Sequence, residues 1–418
     1  MSYAVDLFLF LFPVVMSLVW TLGGLIRFTF WEARPRNFRE LSADALTIPV
    51  TIVVPCFNEE RQIAETIERA LQISSNEFEV IAVDDGSTDA TLGILTALEA
   101  KHDRLRVIAL GSNQGKAVAL QAGARAATHE FLLCIDGDAT LDRHAPAWIA
   151  TVLRDNPEVA GVTGNPRIGN RRSVLGKIQV GEFSAMIGLI KRTQMLVGQL
   201  FTLSGVIAGF RKRAVHEVDY WTRDALTEDM DITWKLQRAG WRTCFEPRAL
   251  VWILTPETIR GLWRQRLRWA MGGAQVLARN IDVIWSAAPV GLKLLVAEML
   301  LSVCWSYLIV IALLASVWTF VDTVVASHFA VLIPSWLAWS LPMSVVVLFG
   351  CCALQMTVAV FIDRRYDVRM ERLAGWFLLY PLIFWLVQVA TMVVGFPLAA
   401  SRSSGRPATW ISPDRGMP

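Results

Sequence analysis

The chain contains few of the side chains that build metal centres and nucleophilic triads. Its 418 residues include five histidines and six cysteines. The histidines are scattered outside any HExxH or Ser-His-Asp pattern, and the cysteines form no pair of CxxC units. Neither a zinc site nor a triad is therefore predicted. Cys56, Cys134 and Cys244 stand beside predicted strands in the charged part of the chain, which indicates buried, reduced thiols in the cytosol.

The chain also lacks a large excess of charge of either sign, and it lacks glycine-rich phosphate-binding loops. The formal net charge is +3, and no basic stretch is interleaved with aromatic residues as on a nucleic-acid surface. Neither GxxxxGK[ST] nor GxGxxG occurs. Nucleic acid is therefore not an expected partner. A bound phosphate would need a cation held by carboxylates rather than a P-loop or a dinucleotide-binding turn.

Long apolar runs are abundant. Hydrophobic residues make up 54% of the chain while 18% are charged, a mixture that indicates a soluble domain joined to membrane helices. Residues 5–26 can span a bilayer, and because no small-residue cleavage site follows them, we expect an uncleaved helix. Three further runs occupy residues 292–321, 329–362 and 373–400.

Arginines near these runs predict the membrane topology. Four of them follow the first run, and a basic loop at 363–372 separates the last two runs. Because arginines favour the cytoplasmic side, residues 34–289 are expected in the cytoplasm and both chain ends outside. The arginines Arg402, Arg406 and Arg415 weigh against an outer C-terminal tail, so the side of the tail stays open. The four arginines after the first run are Arg27, Arg34, Arg36 and Arg39.

Between the membrane runs, predicted strands alternate with predicted helices. Strands are expected at 47–54, 79–83, 105–110, 131–135 and 159–162, and helices at 59–73 and from about 115 and 145. This order predicts a mostly parallel sheet with ligands at the carboxyl ends of its strands. A polar turn follows each of the first four strands. Any one turn has a simple structural explanation, but four at one sheet edge favour a nucleotide cleft.

Two acidic clusters stand out. Asp136 and Asp138 follow the fourth strand, and such a pair can share Mg²⁺ or Mn²⁺ with a nucleotide diphosphate, although it can equally close a turn or cap a helix. Glu228 and Asp229 follow Thr227 at the start of a helical pattern. Thr227 could simply cap that helix, but a carboxylate at a helix start is also rigidly aimed, and a hydroxyl that attacks as nucleophile needs a general base.

Four motifs, in this order, resemble those of the processive family 2 glycosyltransferases, the group that contains cellulose, chitin and hyaluronan synthases. They are Asp84-Asp85-Gly86-Ser87, Asp136-Gly137-Asp138, Thr227-Glu228-Asp229 and Gln265-Arg266-Leu267-Arg268-Trp269. Longer blocks at 161–167, 176–183 and 252–258 are more similar to bacterial poly-β-1,6-N-acetyl-D-glucosamine synthases. The resemblance extends from about residue 47 to the C-terminal block 410–416. Some members carry two N-terminal membrane helices, whereas this chain has room for one.

The resemblance implies an α/β glycosyltransferase domain of the GT-A type, with a mostly parallel sheet, plus transmembrane helices. The expected segments are an N-terminal transmembrane helix at 1–33, a cytoplasmic catalytic domain at 34–257, an amphipathic interfacial helix at 258–289, three transmembrane helices at 290–400 and a tail at 401–418. The arginines and tryptophans of 258–280 also suit a helix on an anionic membrane surface. Residues 173–197 are predicted to form another surface helix, near the acceptor.

The resemblance also implies an activity. It is the inverting, metal-dependent polymerisation of N-acetylglucosamine from UDP-N-acetylglucosamine, with Mg²⁺ or Mn²⁺ as cofactor and with export of the growing polysaccharide across the inner membrane for the biofilm matrix. Because one helix plus three are few for a polymer channel, a small membrane partner subunit or a second copy is expected to complete it.

Site roles follow from the same resemblance, residue by residue. Donor binding is expected from Asn58, Glu59, Asp85, Lys116, Asp136, Gln265 and Arg268. The metal is expected at Asp136 and Asp138, and the general base at Asp229. Acceptor contacts are expected from Trp269, whose indole face suits a pyranose, and from Glu228.

Alternative functions stay open. One is another polysaccharide synthase, of chitin, hyaluronan or cellulose type. Another is a transferase that loads a lipid phosphate, which would need no sugar-stacking Trp269. A different class is a transporter with a regulatory nucleotide-binding domain, but the membrane runs lack the paired charges expected of an ion-coupled carrier.

Overall fold

A computed structural model of the chain describes residues 3–33, 41–326, 335–377, 379–402, 405 and 408–409. The described residues contain an eight-stranded mixed sheet with the strand order β3-β2-β1-β4-β7-β6-β8-β5. Its strands are β1 (Val50–Cys56), β2 (Phe78–Asp84), β3 (Leu105–Ala109), β4 (Phe131–Ile135), β5 (Thr140–Leu141), β6 (Val159–Ile168), β7 (Ile207–Arg211) and β8 (Arg242–Ile253).

Strands β1 to β4 form the parallel half of the sheet, as the sequence predicts. β1 lies between β2 and β4, and β3 pairs with β2 in the same direction. All seven residues of β1 are buried, which explains its unbroken apolar pattern. The strand begins at Val50 rather than Thr47, directly after Pro49, which has no N–H to donate to a ladder. The carboxyl ends of these strands therefore meet at one edge.

The other half of the sheet contains strands that the periodicity did not reveal. β7 lies antiparallel between β4 and β6, and the long β8 pairs with β6 in parallel and with β5 in antiparallel. β6 extends to Ile168, beyond the predicted 159–162, because all ten of its residues are buried between these partners. The sheet is therefore parallel from β3 to β4, which we call the parallel half, and mixed from β7 to β5, which we call the mixed half.

Helices cover both faces of the sheet and form the membrane part. They are α1 (Tyr3–Arg27), α2 (Ile63–Leu71), α3 (Thr91–Glu99), α4 (Lys116–Ala126), α5 (Ala145–Asp155), α6 (Val174–Phe183), α7 (Lys191–Gln194), α8 (Lys212–Glu217), α9 (Glu228–Arg238), α10 (Ile259–Asn280), α11 (Val290–Ala326), α12 (Ser335–Asp363), α13 (Ala374–Phe377) and α14 (Leu386–Ala400). A π-helical segment, Ser184–Ile190, joins α6 to α7, and another, Pro381–Trp385, leads into α14.

Four helices of the described part are long and apolar enough to cross a membrane, judged by length and composition. They are Tyr3–Glu32, Val290–Asp322, Ser344–Asp363 and Ile383–Ala400. One therefore precedes the sheet and the others follow it, in agreement with the sequence. The arginines at 34, 36 and 39, which flank the first run, lie outside the described residues.

The end of the chain returns to the sheet domain. Helix α14 packs along α10, where a Cβ added to Gly395 would lie 2.9 Å from the Cβ of Ala270. Beyond α14, the Gly405 amide donates to Asp224 at 3.1 Å, and the Ala408 amide donates to the Arg223 carbonyl at 3.1 Å. The sequence left the side of the tail open, and these contacts place Gly405 and Ala408 against the sheet domain. Arg406, Arg415 and the block 410–416 lie outside the described residues.

Buried ion pairs join the membrane helices to the sheet domain. Arg192 Nε lies 2.9 Å from Glu32 Oε1, and its Nη1 lies 3.1 Å from Asp363 Oδ1. Arg167 Nη1, from β6, lies 3.0 Å from the other oxygen of Asp363. The segment 173–197 is helical as predicted, but it is not a surface helix, because Lys191 and Arg192 are buried. We call Glu32, Arg167, Arg192 and Asp363 the junction cluster.

Candidate active site

The turns after β1 and β2 are tied together by side chains. Asn58 adopts a left-handed conformation, with φ of 55°, which asparagine tolerates better than most residues. Its side-chain Oδ1 accepts from the Thr88 backbone amide at 2.8 Å, and the Asn58 backbone amide donates to Ser87 Oγ at 3.0 Å. Glu59 is buried, and its amide donates to Thr91 Oγ1 at 2.8 Å. Asn58 and Glu59 therefore lie at the sheet edge where donor binding is predicted.

Asp85 shapes the turn after β3. Its two carboxylate oxygens accept from the backbone amides of Gln114 and Gly115, each at 2.8 Å. Burial raises the pKa of Asp85, while these two hydrogen bonds oppose the shift. Gly115 has φ of 96° and lies against the Ala408 carbonyl of the tail, so a side chain there would be strained and would collide. Asp85 thus holds the turn at Gln114 and Gly115, which Ala408 of the C-terminal tail also contacts.

Lys116 brings two of the predicted motifs together. Its Nζ lies 2.6 Å from Asp136 Oδ1 and 2.9 Å from Glu228 Oε1. Burial alone would lower the pKa of this ammonium, but the two carboxylates hold it well above its ordinary value. Lys116 is the first residue of α4, at the edge of the parallel half, whereas Glu228 opens α9 in the mixed half. The Lys116 ammonium group is therefore paired with two carboxylates, Asp136 and Glu228, that are far apart in sequence.

Asp136 and Asp138, the acids after β4, suit a divalent metal ion that is shared with a substrate better than one held entirely by protein side chains. Among the described residues, no group of three or more His, Cys, Asp or Glu side chains is placed to hold a metal. Asp136 and Asp138 offer hard oxygen ligands, which fit a divalent cation completed by water and a diphosphate. Asp84 adds an orphaned acceptor at the same edge, since its Oδ1 is buried without a hydrogen-bond partner among the described residues. A cation at Asp136 would compete with Lys116 for Oδ1.

Asp229 is half-buried at the start of α9. Its Oδ2 accepts from the Gly205 amide at 3.1 Å. Burial and the neighbouring Glu228 charge raise the pKa of Asp229, with Lys116 and Arg268 opposing. For Glu228, burial also favours the neutral form, but Lys116 and Arg268 outweigh it and lower the pKa. The pKa values of the two adjacent acids are therefore shifted in opposite directions.

The alternative that Thr227 caps α9 is not supported by the geometry. The Thr227 side chain makes no capping hydrogen bond, and its Oγ1 is buried without a hydrogen-bond partner in the described part of the chain. Helix α10 instead presses against it, because a Cβ added to Gly272 would collide with the Thr227 side chain. Helices α9 and α10 thus meet where a glycine faces the residue before Glu228.

Gly205 and Lys191 belong to this site but were missed by sequence reasoning. A Cβ on Gly205 would lie 3.1 Å from Lys116 Nζ and 3.2 Å from Asp229 Oδ2, so a side chain there would crowd both charges. Lys191 is buried and donates to Thr163 Oγ1 at 3.2 Å. Burial lowers the pKa of Lys191 to about 7, with the Asp229 charge opposing. The sequence signal was limited to one glycine between apolar runs and one lysine in an apolar helix.

Helix α10 carries the Gln265 to Trp269 motif to the rim of the site. The helix starts as predicted, with the Thr258 side chain accepting from the Gly261 amide at 3.0 Å. Arg268 is exposed, donates to the Leu226 carbonyl at 3.0 Å and acts electrostatically on Glu228 and Asp229. Gln265 Oε1 is buried without a hydrogen-bond partner among the described residues, and Trp269 is half-buried.

Comparison with known proteins gives consistent matches. A family model described as "Glycosyltransferase like family 2" matches residues 48–272. The chain is 36% identical over 416 residues to a Staphylococcus epidermidis protein named poly-beta-1,6-N-acetyl-D-glucosamine synthase, with 98% of each chain covered. It is 36% identical over 418 residues to a protein of that name from Staphylococcus aureus strain COL, again with 98% of each covered.

A solved structure shares the fold. It is a mannosyltransferase from Pyrobaculum calidifontis in complex with GDP-Man and Mn²⁺, with 20% identity and a TM-score of 0.58. The match covers 86% of this chain and 99% of the mannosyltransferase. The predicted GT-A type of α/β domain is therefore confirmed.

Proposed function

Because the chain belongs to glycosyltransferase family 2, we propose that it transfers N-acetylglucosamine from UDP-N-acetylglucosamine to the end of a growing β-1,6-linked polymer. One observation carries the proposal: Lys116 Nζ lies 2.6 Å from Asp136 and 2.9 Å from Glu228, so the donor motif and the base motif form one site. The choice of sugar and linkage is supported by the names of the relatives.

In the proposed reaction, Asp229 is the general base. The acceptor hydroxyl gives its proton to the Asp229 carboxylate while its oxygen attacks the anomeric carbon. The bond from that carbon to the diphosphate oxygen breaks, and UDP leaves with the electron pair, so the configuration inverts. Burial and Glu228 raise the pKa of Asp229, which makes it a stronger proton acceptor than an exposed aspartate. Arg268 and Lys116 place positive charge where the diphosphate departs.

We propose that Asp136 and Asp138 hold Mg²⁺ or Mn²⁺ together with the donor diphosphate. When bound, such a cation offsets the negative charge on the leaving group. Asn58, Glu59 and Asp85 would form the nucleoside pocket, since the turns that carry them lie at the same sheet edge. Gln265 would contact the diphosphate from α10, and Trp269 would stack on the acceptor sugar.

The membrane part is proposed to serve export. The catalytic domain would face the cytoplasm of a bacterial inner membrane, and the polymer would leave through the helices toward a biofilm matrix. A small membrane subunit or a second copy would complete the channel, because few helices are present.

The proposal is tested with purified membranes that contain the protein. Membranes are supplied with UDP-N-acetylglucosamine, UDP-glucose or UDP-glucuronate, and the product is digested with linkage-specific hydrolases. The expected product forms only from UDP-N-acetylglucosamine and is cleaved only by a β-1,6-specific enzyme. The Asp229→Asn variant at equal membrane level is the control. A polymer resistant to that enzyme would assign another synthase, and a product extracted into organic solvent would assign a lipid-phosphate transferase.

A further inference from the structure

The motif on α10 contains one residue that differs from its neighbours in burial. Arg266 is 2% exposed, whereas Arg264 and Arg268 on the same helix are exposed. Its Nη2 lies 2.7 Å from Oε2 of Glu182, which is 3% exposed and belongs to α6. Burial raises the pKa of Glu182, and the Arg266 charge opposes that shift. An ion pair therefore lies in an almost dry interface between α6 and α10.

Stability does not explain this pair. Removing two charges from water costs several kcal/mol per ion, and the pair repays that cost only if its remaining polar atoms are also hydrogen-bonded. Arg266 Nε and Nη1 are buried without a hydrogen-bond partner in the part of the chain that the structure describes. Leu175 and Ile178 of α6 and Leu262 of α10 form a packed apolar cluster with Phe384, and Tyr380 packs against it. Two apolar side chains of similar size would fill this place at lower cost.

The guanidinium has a geometric consequence for the indole of Trp269. Arg266 Cζ lies 4.1 Å from the centroid of that ring. The two residues are three positions apart on one helix, so their side chains share a face. A planar guanidinium stacks on an aromatic face and attracts it electrostatically. One face of the indole is thereby covered by Arg266, and Glu182 fixes the guanidinium from a different helix.

We infer that Glu182 and Arg266 are positioning residues that hold the Trp269 ring at the angle at which its other face stacks on the acceptor sugar. The inference rests on the proposed function, because it needs a sugar at Trp269. Neither residue is among those proposed to bind the donor or to transfer the proton. Their loss should release the acceptor between additions and shorten the polymer, while donor affinity stays unchanged.

The test replaces both charges at once. In a Glu182→Met/Arg266→Met variant the interface stays filled and no charge is left unpaired, so the protein should reach normal membrane levels. Mean polymer length on a sizing column should fall roughly two- to tenfold, the range expected for one lost stacking contact. The KM for the UDP-sugar should not change. Arg264→Met, an exposed arginine on the same helix, is the matched control and should leave the length unchanged.

Two further variants separate positioning from simple stapling of the helices. Arg266→Lys keeps the charge and the pairing with Glu182 but loses the planar stack, so its polymers should also be short at normal thermal stability. Adding Trp269→Ala to the double variant should shorten the polymer no further. Wild-type length in either Arg266 variant at normal membrane level would overturn the inference.

Failure of the proposed function would look different. If wild-type membranes make no polymer from UDP-N-acetylglucosamine, the assignment of the reaction is wrong. If wild-type membranes make polymer and the Arg266 variants make polymer of the same length, the proposed reaction stands and the positioning role is wrong.

Discussion

The parallel and mixed halves of the molecule are connected by different kinds of contact. At the edge of the parallel half, the turns are joined mainly by contacts to backbone amides: Thr88 to Asn58, and Gln114 and Gly115 to Asp85. In the mixed half and the membrane part, buried side-chain ion pairs join distant segments, as in the junction cluster and in Glu182 with Arg266. The proposed donor side therefore depends on local turn contacts, and the proposed acceptor side on long-range charge pairing.

The largest effect should come from Asp229, which follows Glu228, the residue that contacts Lys116 from the other half. Asp229→Asn keeps the shape of the side chain but removes the proton acceptor, so turnover should fall by roughly 10² or more while UDP-sugar binding persists. Initial rates and a direct donor-binding measurement check this. Turnover that survives with only a higher KM would move the base to Glu228.

Breaking the junction cluster should sharpen the contrast in stability. Arg192→Met leaves Asp363 and Glu32 buried without one of their cations, and we expect a loss of about 3–5 kcal/mol in stability. Arg238→Met is the matched control, because its pair with Asp282 is exposed and should contribute little to stability. Unfolding of both variants in the same detergent gives the comparison. Equal losses would mean that burial of the pair is unimportant.

The parallel half should respond to a change in turn chemistry instead. Asp85→Asn places an amide donor opposite a backbone donor at Gln114 or Gly115, which costs about 1–3 kcal/mol. We expect the donor KM to rise roughly tenfold with little change in polymer length. Asp103→Asn, an exposed aspartate in the turn before β3, serves as control. Shortened polymers at unchanged KM would contradict the division between the two halves.

The smallest effect should be a change in pH dependence. Asp229 must be unprotonated to act as base, so activity falls as the pH drops through its pKa. Burial and then Glu228 raise that pKa, so Glu228→Gln lowers it and the acid limb should move to lower pH. Lys116→Met removes a charge that lowers the same pKa, and the limb should move to higher pH. Rate profiles against pH measure both, and shifts in the same direction would exclude Asp229 as the titrating group.

The same division explains what the sequence could predict. The strands of the parallel half, the turns with Asn58, Asp85 and Asp136, and the apolar membrane runs follow from local patterns, and the structure confirms them. β7 could not be predicted, because its place between β4 and β6 depends on partners far along the chain. The pairing of Glu182 with Arg266, the burial of Lys191 and the return of the tail depend on tertiary contacts that no local pattern records.

The contact between Gly272 and Thr227 gives the site a fixed internal distance. Because Gly272 of α10 has no side chain, α10 lies directly against the Thr227 side chain at the start of α9, where an added Cβ would collide. One helix carries Asp229 and the other carries Trp269. An enzyme that adds identical units repeatedly must return its substrate to the same register after every addition. The glycine contact sets how closely the helix that carries Trp269 can approach the helix that carries Asp229.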